Sequence, residues 1–198
     1  MSNAPERAAR SDAVRNRARL TEVAVAAFRD EGLEVGVDEL ARRAGVGVAT
    51  LYRHFPAKTD LIHAVLDLIL DDLETLATEA LAARDPVARF LRSALALQGE
   101  NGNLLETLAE HHLPQELRDQ LDRRARTILA PIVAAGHDSG TIRPELDAAD
   151  LFVVVRMLGV AAGASRRGSA QRYLKLVLRG LASEDSERDL TPTPSAGA

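Results

Sequence analysis

Two apolar-faced segments, each barely two turns long, lie between residues 37 and 55, and Gly45-Val46-Gly47 separates them. In the first, Leu40, Ala41 and Ala44 recur at helical spacing after Gly36, which can serve as N-cap with Glu39 three residues on. In the second, Leu51 and Phe55 point inward while Thr50, Arg53 and His54 point outward, until Pro56 disfavours continuation. A longer helix precedes them: Leu20, Val23, Ala24, Ala27 and Phe28 hold the helical period and stop at Gly32, where a glycine can take the left-handed conformation that ends a helix.

The remaining pattern is helical as well. From Lys58 to about Leu81, Ile62, Val65, Leu66, Ile69, Leu73, Leu76 and Ala80 keep the same period, giving an element about 36 Å long at 1.5 Å per residue, long enough to bridge two domains. Further helices are expected over 86–97, 104–111, 114–135 with a kink at Pro131, 148–165 and 170–181. No stretch reads as a strand, and Asn101-Gly102-Asn103 lacks alternating apolar flanks, so it is expected as an interhelical loop. From Glu184 charged residues give way to Thr-Pro-Thr-Pro-Ser, a composition that buries too little to order itself. The expected fold is all-α, with a head over 1–57, a second helical domain over 58–183 and a disordered tail over 184–198.

Composition removes several function classes. The chain has no Cys, which excludes disulfide frameworks, thiolate metal sites and Cys nucleophiles, and fits a reducing compartment, so cytoplasm is the expected location. The longest nearly apolar stretch, Leu151 to Ala164, contains Arg156 and falls short of the ~20 residues a membrane span needs. No apolar run follows the first residues as a secretory signal would require. Gly-x-Ser-x-Gly, His-Glu-x-x-His and a phosphate loop are absent, so an enzyme is not expected. No motif asks for a cofactor or a metal. His111 and His112 are adjacent and diverge on a helix, Glu106 and Glu110 lack the paired Glu-x-x-His arrangement, and His63 with Asp67 reads as a solvated pair.

The net charge of -4 is unevenly distributed: residues 1–58 carry +2 and residues 59–198 carry -6. Over residues 7–19, Arg7, Arg10, Arg15, Arg17 and Arg19 face only Asp12, the footprint a phosphate backbone favours. The two short helices have the spacing of a helix-turn-helix, whose second helix enters a DNA major groove. Ala41 is small where the helices approach, Gly45 supplies the turn, and Val46 with Leu51 plugs the angle between them.

The run from Val37 to Val46, followed by Val48-Ala49-Thr50-Leu51-Tyr52-Arg53-His54-Phe55-Pro56-Ala57-Lys58, resembles the DNA-binding domain of the TetR (tetracycline-repressor) family of transcriptional regulators. The likeness covers about Thr21 to Leu66. It implies that Tyr52, His54 and Lys58 hold phosphates while Val48, Ala49, Thr50 and Arg53 face the groove. The residue types suit these roles, since Lys is a point charge for phosphate and Arg53 could bond bidentately to guanine or else drop to a phosphate. Family members usually carry a hydroxyl residue where Gly36 and Gly47 stand, and a polar cap where Ala57 stands. Both glycines stay among the candidate DNA-contacting positions, because they let backbone N–H groups approach a phosphate closely.

In the second half, the segment 148–165 is apolar nearly all round, and 170–181 adds a stripe of apolar residues. Leu151, Val155, Leu158 and Ala162, with Tyr173, Leu174, Val177 and Leu181, are the candidate dimer contacts, pairing with their copies across a two-fold axis as a four-helix bundle, which the resemblance also implies. The resemblance further implies a small-molecule effector as partner beside a double-stranded operator. A mainly apolar cavity among residues 58–135 is expected to hold it, lined by Leu66, Leu70, Phe90, Leu97, Leu105, Leu108, Leu129 and Val133, with Gln98, His111 or His112 orienting the ligand. The expected function is a ligand-responsive regulator, a repressor released from a palindromic operator. The rival readings are a helical small-molecule-binding protein or enzyme that binds no operator, and a DNA-binding protein with no effector.

Overall fold

A computed structural model of the chain describes residues 4–101, 104, 114–164 and 169–183. Among them are eight helices and no strand, an all-α architecture. They are α1 (Ala4–Glu31), α2 (Val37–Ala44), α3 (Val48–His54), α4 (Lys58–Ala80), α5 (Pro86–Asn101), α6 (Gln115–Asp138), α7 (Ala148–Ala164) and α8 (Ser169–Leu181). The helix expected over 104–111 lies outside the described residues except for Leu104, which is helical and buried, and so does the tail from 184. Asn101 ends α5 instead of opening a loop, and α6 runs through Pro131 to Asp138. Pro131 has no N–H to return to the Thr127 carbonyl one turn back, yet the flanking bonds carry the helix across.

Short polar side chains start several of these helices. Asp147 accepts from the N–H groups of Ala149 (2.7 Å) and Asp150 (2.9 Å), while Asp150 accepts from Asp147 N–H at 3.0 Å, a reciprocal cap on α7. At α4 the capping side chain is missing at Ala57, but Asp60 accepts from Ala57 N–H at 2.8 Å and supplies the returning half of such a cap.

The described residues divide into two compact units, one up to residue 69 and one from residue 70. The first is built from α1, α2, α3 and the opening turns of α4, around Leu20, Ala24, Phe28, Leu40, Leu51 and Phe55. In the second, α7 packs against α5, α6 and α8 around Phe90, Leu91, Leu129, Ile132, Val155 and Leu158. Gly136 sets the spacing of this second core. A Cβ there would stand 2.8 Å from Val87 Cγ2 and 2.9 Å from Ile142 Cδ1, closer than carbon atoms can pack.

Candidate nucleic-acid interface

The turn between α2 and α3 is closed by backbone geometry. Gly45 has φ +66°, its N–H donates to Arg42 O at 3.1 Å, and Val46 N–H donates to Ala41 O at 3.0 Å. Two helix-end carbonyls are thereby satisfied by a left-handed residue that only glycine adopts without cost. Helix α3 then starts on Gly47, whose carbonyl accepts from Thr50 (2.8 Å) and Leu51 (3.1 Å). Leu51 and Phe55 are fully buried, fixing the rotation of α3 about its axis. Ala49, Tyr52 (46% exposed) and Arg53 turn outward, Val48 and Thr50 are half-buried beside them, and Gly36 and Gly47 are exposed. This face is the one expected to meet base edges.

His54 departs from the outward placement read from the sequence. It is half-buried, its Nε2 is buried with no hydrogen-bond partner among the described residues, and burial first, then Arg53 and Arg17, lowers its pKa. A neutral ring with Nε2 turned inward leaves only Nδ1 for a phosphate. Its backbone carbonyl is taken by Arg17, whose Nη1 donates at 2.9 Å while the guanidinium carbon sits 4.4 Å from the centre of the Phe55 ring. Arg17 therefore belongs to the structure of the head: it neutralises the carbonyl end of α3 and stacks on its last core residue. The sequence shows Arg17 as one cation among five, and the contact crosses 37 residues.

Lys58, in the first turn of α4, is also engaged within the head. Its Nζ donates to the carbonyl of Leu33 in the loop after α1. An ammonium has three donors, so two remain for a phosphate. On the other flank, Glu39 accepts from Arg42 (2.7 and 2.6 Å) and Arg43 (2.6 Å), and Arg43 also binds Glu31 of α1. Bonds from Arg42 and then Arg43 hold the Glu39 carboxyl down to about 2. The network is exposed and salt can screen it, so it serves orientation more than stability.

Comparison with known proteins agrees with this geometry. The family model for bacterial regulatory proteins of the TetR family matches residues 20–65, and the model for the C-terminal domain of SbtR-like transcriptional regulators matches residues 82–183, just over half the chain. The chain belongs to the TetR family of transcriptional regulators. A TetR transcription regulatory protein from Mycobacterium vanbaalenii is 32% identical, with 87% of this chain and 98% of that one covered and a TM-score of 0.61. The TetR-family regulator PfmR from Thermus thermophilus is 26% identical over 81% of this chain and 97% of its own, with a TM-score of 0.61. An HTH-type transcriptional regulator of Staphylococcus aureus (strain bovine RF122 / ET3-1) is 39% identical over 77 residues, and this chain spans 40% of its length.

The ligand and dimer residues expected of this TetR-family regulator fall in different settings. Leu66 is buried in the first unit, whereas Leu70, Phe90, Leu129 and Val133 are buried and Leu97 half-buried in the second. Leu105, Leu108, His111 and His112 lie outside the described residues. Gln98 is 8% exposed; its Nε2 donates to Val155 O at 3.0 Å, and its Oε1 is buried without a partner among the described residues. A small apolar pocket beside Val133, Val87 and Leu151 measures about 10 Å³, at most a single water. Among the described residues no group of three or more His, Asp or Glu is placed to hold a metal ion, and no helix is long and apolar enough to cross a membrane.

Of the eight dimer candidates, Leu151, Val155, Leu158, Leu174 and Leu181 are buried inside the protomer, Ala162 and Val177 are half-buried, and Tyr173 is exposed. Among the described residues of α7 and α8, the large apolar side chains left on the surface are Val153 (52%), Met157 (59%) and Val160 (45%) on α7, with Tyr173 (45%) and Leu176 (53%) on α8. Positions 153, 157 and 160 form one stripe. Because α7 is apolar all round, its residue pattern offers no means of choosing this stripe over the buried one.

Proposed function

We propose that this TetR-family regulator is a cytoplasmic homodimer that represses from a palindromic operator and is released by a small, largely apolar effector. Residues 1–57 form the DNA-binding part in this reading, with α3 in the major groove, and 58–183 form the effector and dimerisation part. The observation that carries it is α3 itself: Leu51 and Phe55 fully buried on one side, and Ala49, Tyr52 and Arg53 presented on the other.

The exposed apolar residues on α7 and α8 support the dimer, since apolar side chains left in water favour burial against a partner. The effector reading rests on Gln98. A buried acceptor without a donor costs about 1–3 kcal/mol, so a ligand that offers an O–H or N–H to Oε1 gains by entering. Helix α4 supplies the link, because Lys58 lies in its first turn and Leu70 and Leu73 lie in later turns of the same helix.

The test is anisotropy titration of labelled palindromic duplexes selected from the host genome, with sedimentation equilibrium beside it. A dimer should bind half-sites whose centres lie about one helical turn, roughly 34–36 Å, apart or a multiple of it. A monomer at micromolar concentration would overturn the dimer, and no salt-dependent binding to any duplex would favour the rival small-molecule-binding protein or enzyme.

A further inference from the structure

A groove of about 640 Å³ opens in the second unit between the start of α5, the end of α6 and α8. Its volume is in the range of small-molecule sites, roughly 300–1,000 Å³. None of the residues proposed for the effector lines it, nor does any member of the exposed stripe on α7 and α8. Val87, Ile142 and Leu181 form an apolar floor, all buried. Arg84, Arg92, Lys175 and Arg179 stand around that floor, all four exposed, and none makes a hydrogen bond or ion pair among the described residues.

The acidic residue of the lining does not answer these cations. Asp85 is committed to the start of α5, accepting from Ala88 N–H at 2.9 Å. The lining thus carries four positive charges against one negative, in a protein whose net charge is -4. The lining hydroxyls add acceptors, not donors: Ser139 gives its proton to the Ala135 carbonyl at 2.8 Å, and Thr141 is directed to the Gly136 carbonyl at 3.3 Å. Four cations around one apolar floor give the groove a positive field, and it favours a ligand that brings negative charge with apolar surface. Guanidinium forks suit phosphate and carboxylate oxygens.

We propose that this groove binds an amphipathic anion, a phosphate or carboxylate head on a short apolar body. The head lies among Arg84, Arg92, Lys175 and Arg179 and the body on Val87, Ile142 and Leu181.

Calorimetric titration of the full chain with octyl phosphate, octanoate, octanol and inorganic phosphate tests the site. One octyl phosphate or octanoate per chain should bind, with affinity falling as salt rises. The tighter of the two identifies the head group. Octanol and inorganic phosphate, each lacking half of the recognition, should bind about tenfold more weakly or worse. The pair Lys175→Glu with Arg179→Glu, and separately the pair Arg84→Gln with Arg92→Gln on the opposite wall, should each weaken octyl phosphate by roughly tenfold or more. All four side chains are exposed, and circular dichroism checks that the variants fold. Absence of binding by both anions at millimolar concentration, octanol binding as tightly as octyl phosphate, or unchanged binding in both variant pairs would overturn the proposal.

Discussion

Arg53 and Lys58 are both cations beside the recognition turn, but they are held differently. Arg53 is exposed with no side-chain partner among the described residues, while Lys58 is half-buried and donates to Leu33 O. If Arg53 reads a guanine, Arg53→Ala should cost ~1–3 kcal/mol in operator affinity and relax preference at one base position, leaving stability unchanged. Lys58→Ala should weaken binding to every sequence, flatten the salt slope by about one and lower the stability of the head. Titrations across operator variants and salt, with urea melts of each protein, separate the two; a uniform loss for both would move Arg53 to a phosphate. His54 gives a pH dependence. Its folded pKa lies below the ordinary 6.5, so the unfolded chain takes up the proton first. The stabilisation is complete above about 6.5 and is lost as pH falls through the folded value, and His54→Asn should flatten that acid limb of the stability profile. The outward face of α3 could be read from the sequence because Leu51 and Phe55 anchor it by spacing alone. Arg17 could not, because its partners His54 and Phe55 come near it only once the head has folded.

At the scale of single helices, α2 and α3 both start on glycines in ordinary extended backbone, φ -71° at Gly36 and -72° at Gly47, with no side-chain cap. A Cβ at either position meets nothing within 4 Å. Gly36→Ser and Gly47→Ser together should therefore stabilise the head by about 1 kcal/mol, from restored caps and a less flexible unfolded chain. Gly45→Ala should act in the opposite direction by about 1 kcal/mol or more, since φ +66° is strained for any residue with a side chain. Denaturant midpoints of the three variants check both signs. Helix positions were largely legible, because the apolar period and the glycine stops at 32 and 45 are local signals. The spacing role of Gly136 was not, since what excludes a side chain there comes from Val87, far off in sequence, and from Ile142 beyond the end of α6.

For the whole molecule, α7 has a buried face and an exposed one, and in the proposed dimer the first serves folding and the second assembly. Val155→Asp places a charge at a position 1% exposed and should destabilise the protomer by several kcal/mol. Met157→Asp, at a position 59% exposed, should leave the protomer folded but convert dimer to monomer and lower operator affinity. Sedimentation and thermal melts distinguish these outcomes, and an unchanged dimer with Met157→Asp would remove the stripe from the interface. A similar division runs through α3. The contacts that hold its seven residues in place come from Leu51, the adjoining Phe55, Arg17 and the backbone of Gly47, whereas Ala49, Thr50 and Arg53 make no side-chain hydrogen bond or ion pair among the described residues. Substitutions at positions 49, 50 and 53 can therefore accumulate without a poorly folded intermediate. With these positions reading the operator as proposed, a lineage can exchange one operator for another stepwise, and regulators with the same head can drift toward different genes.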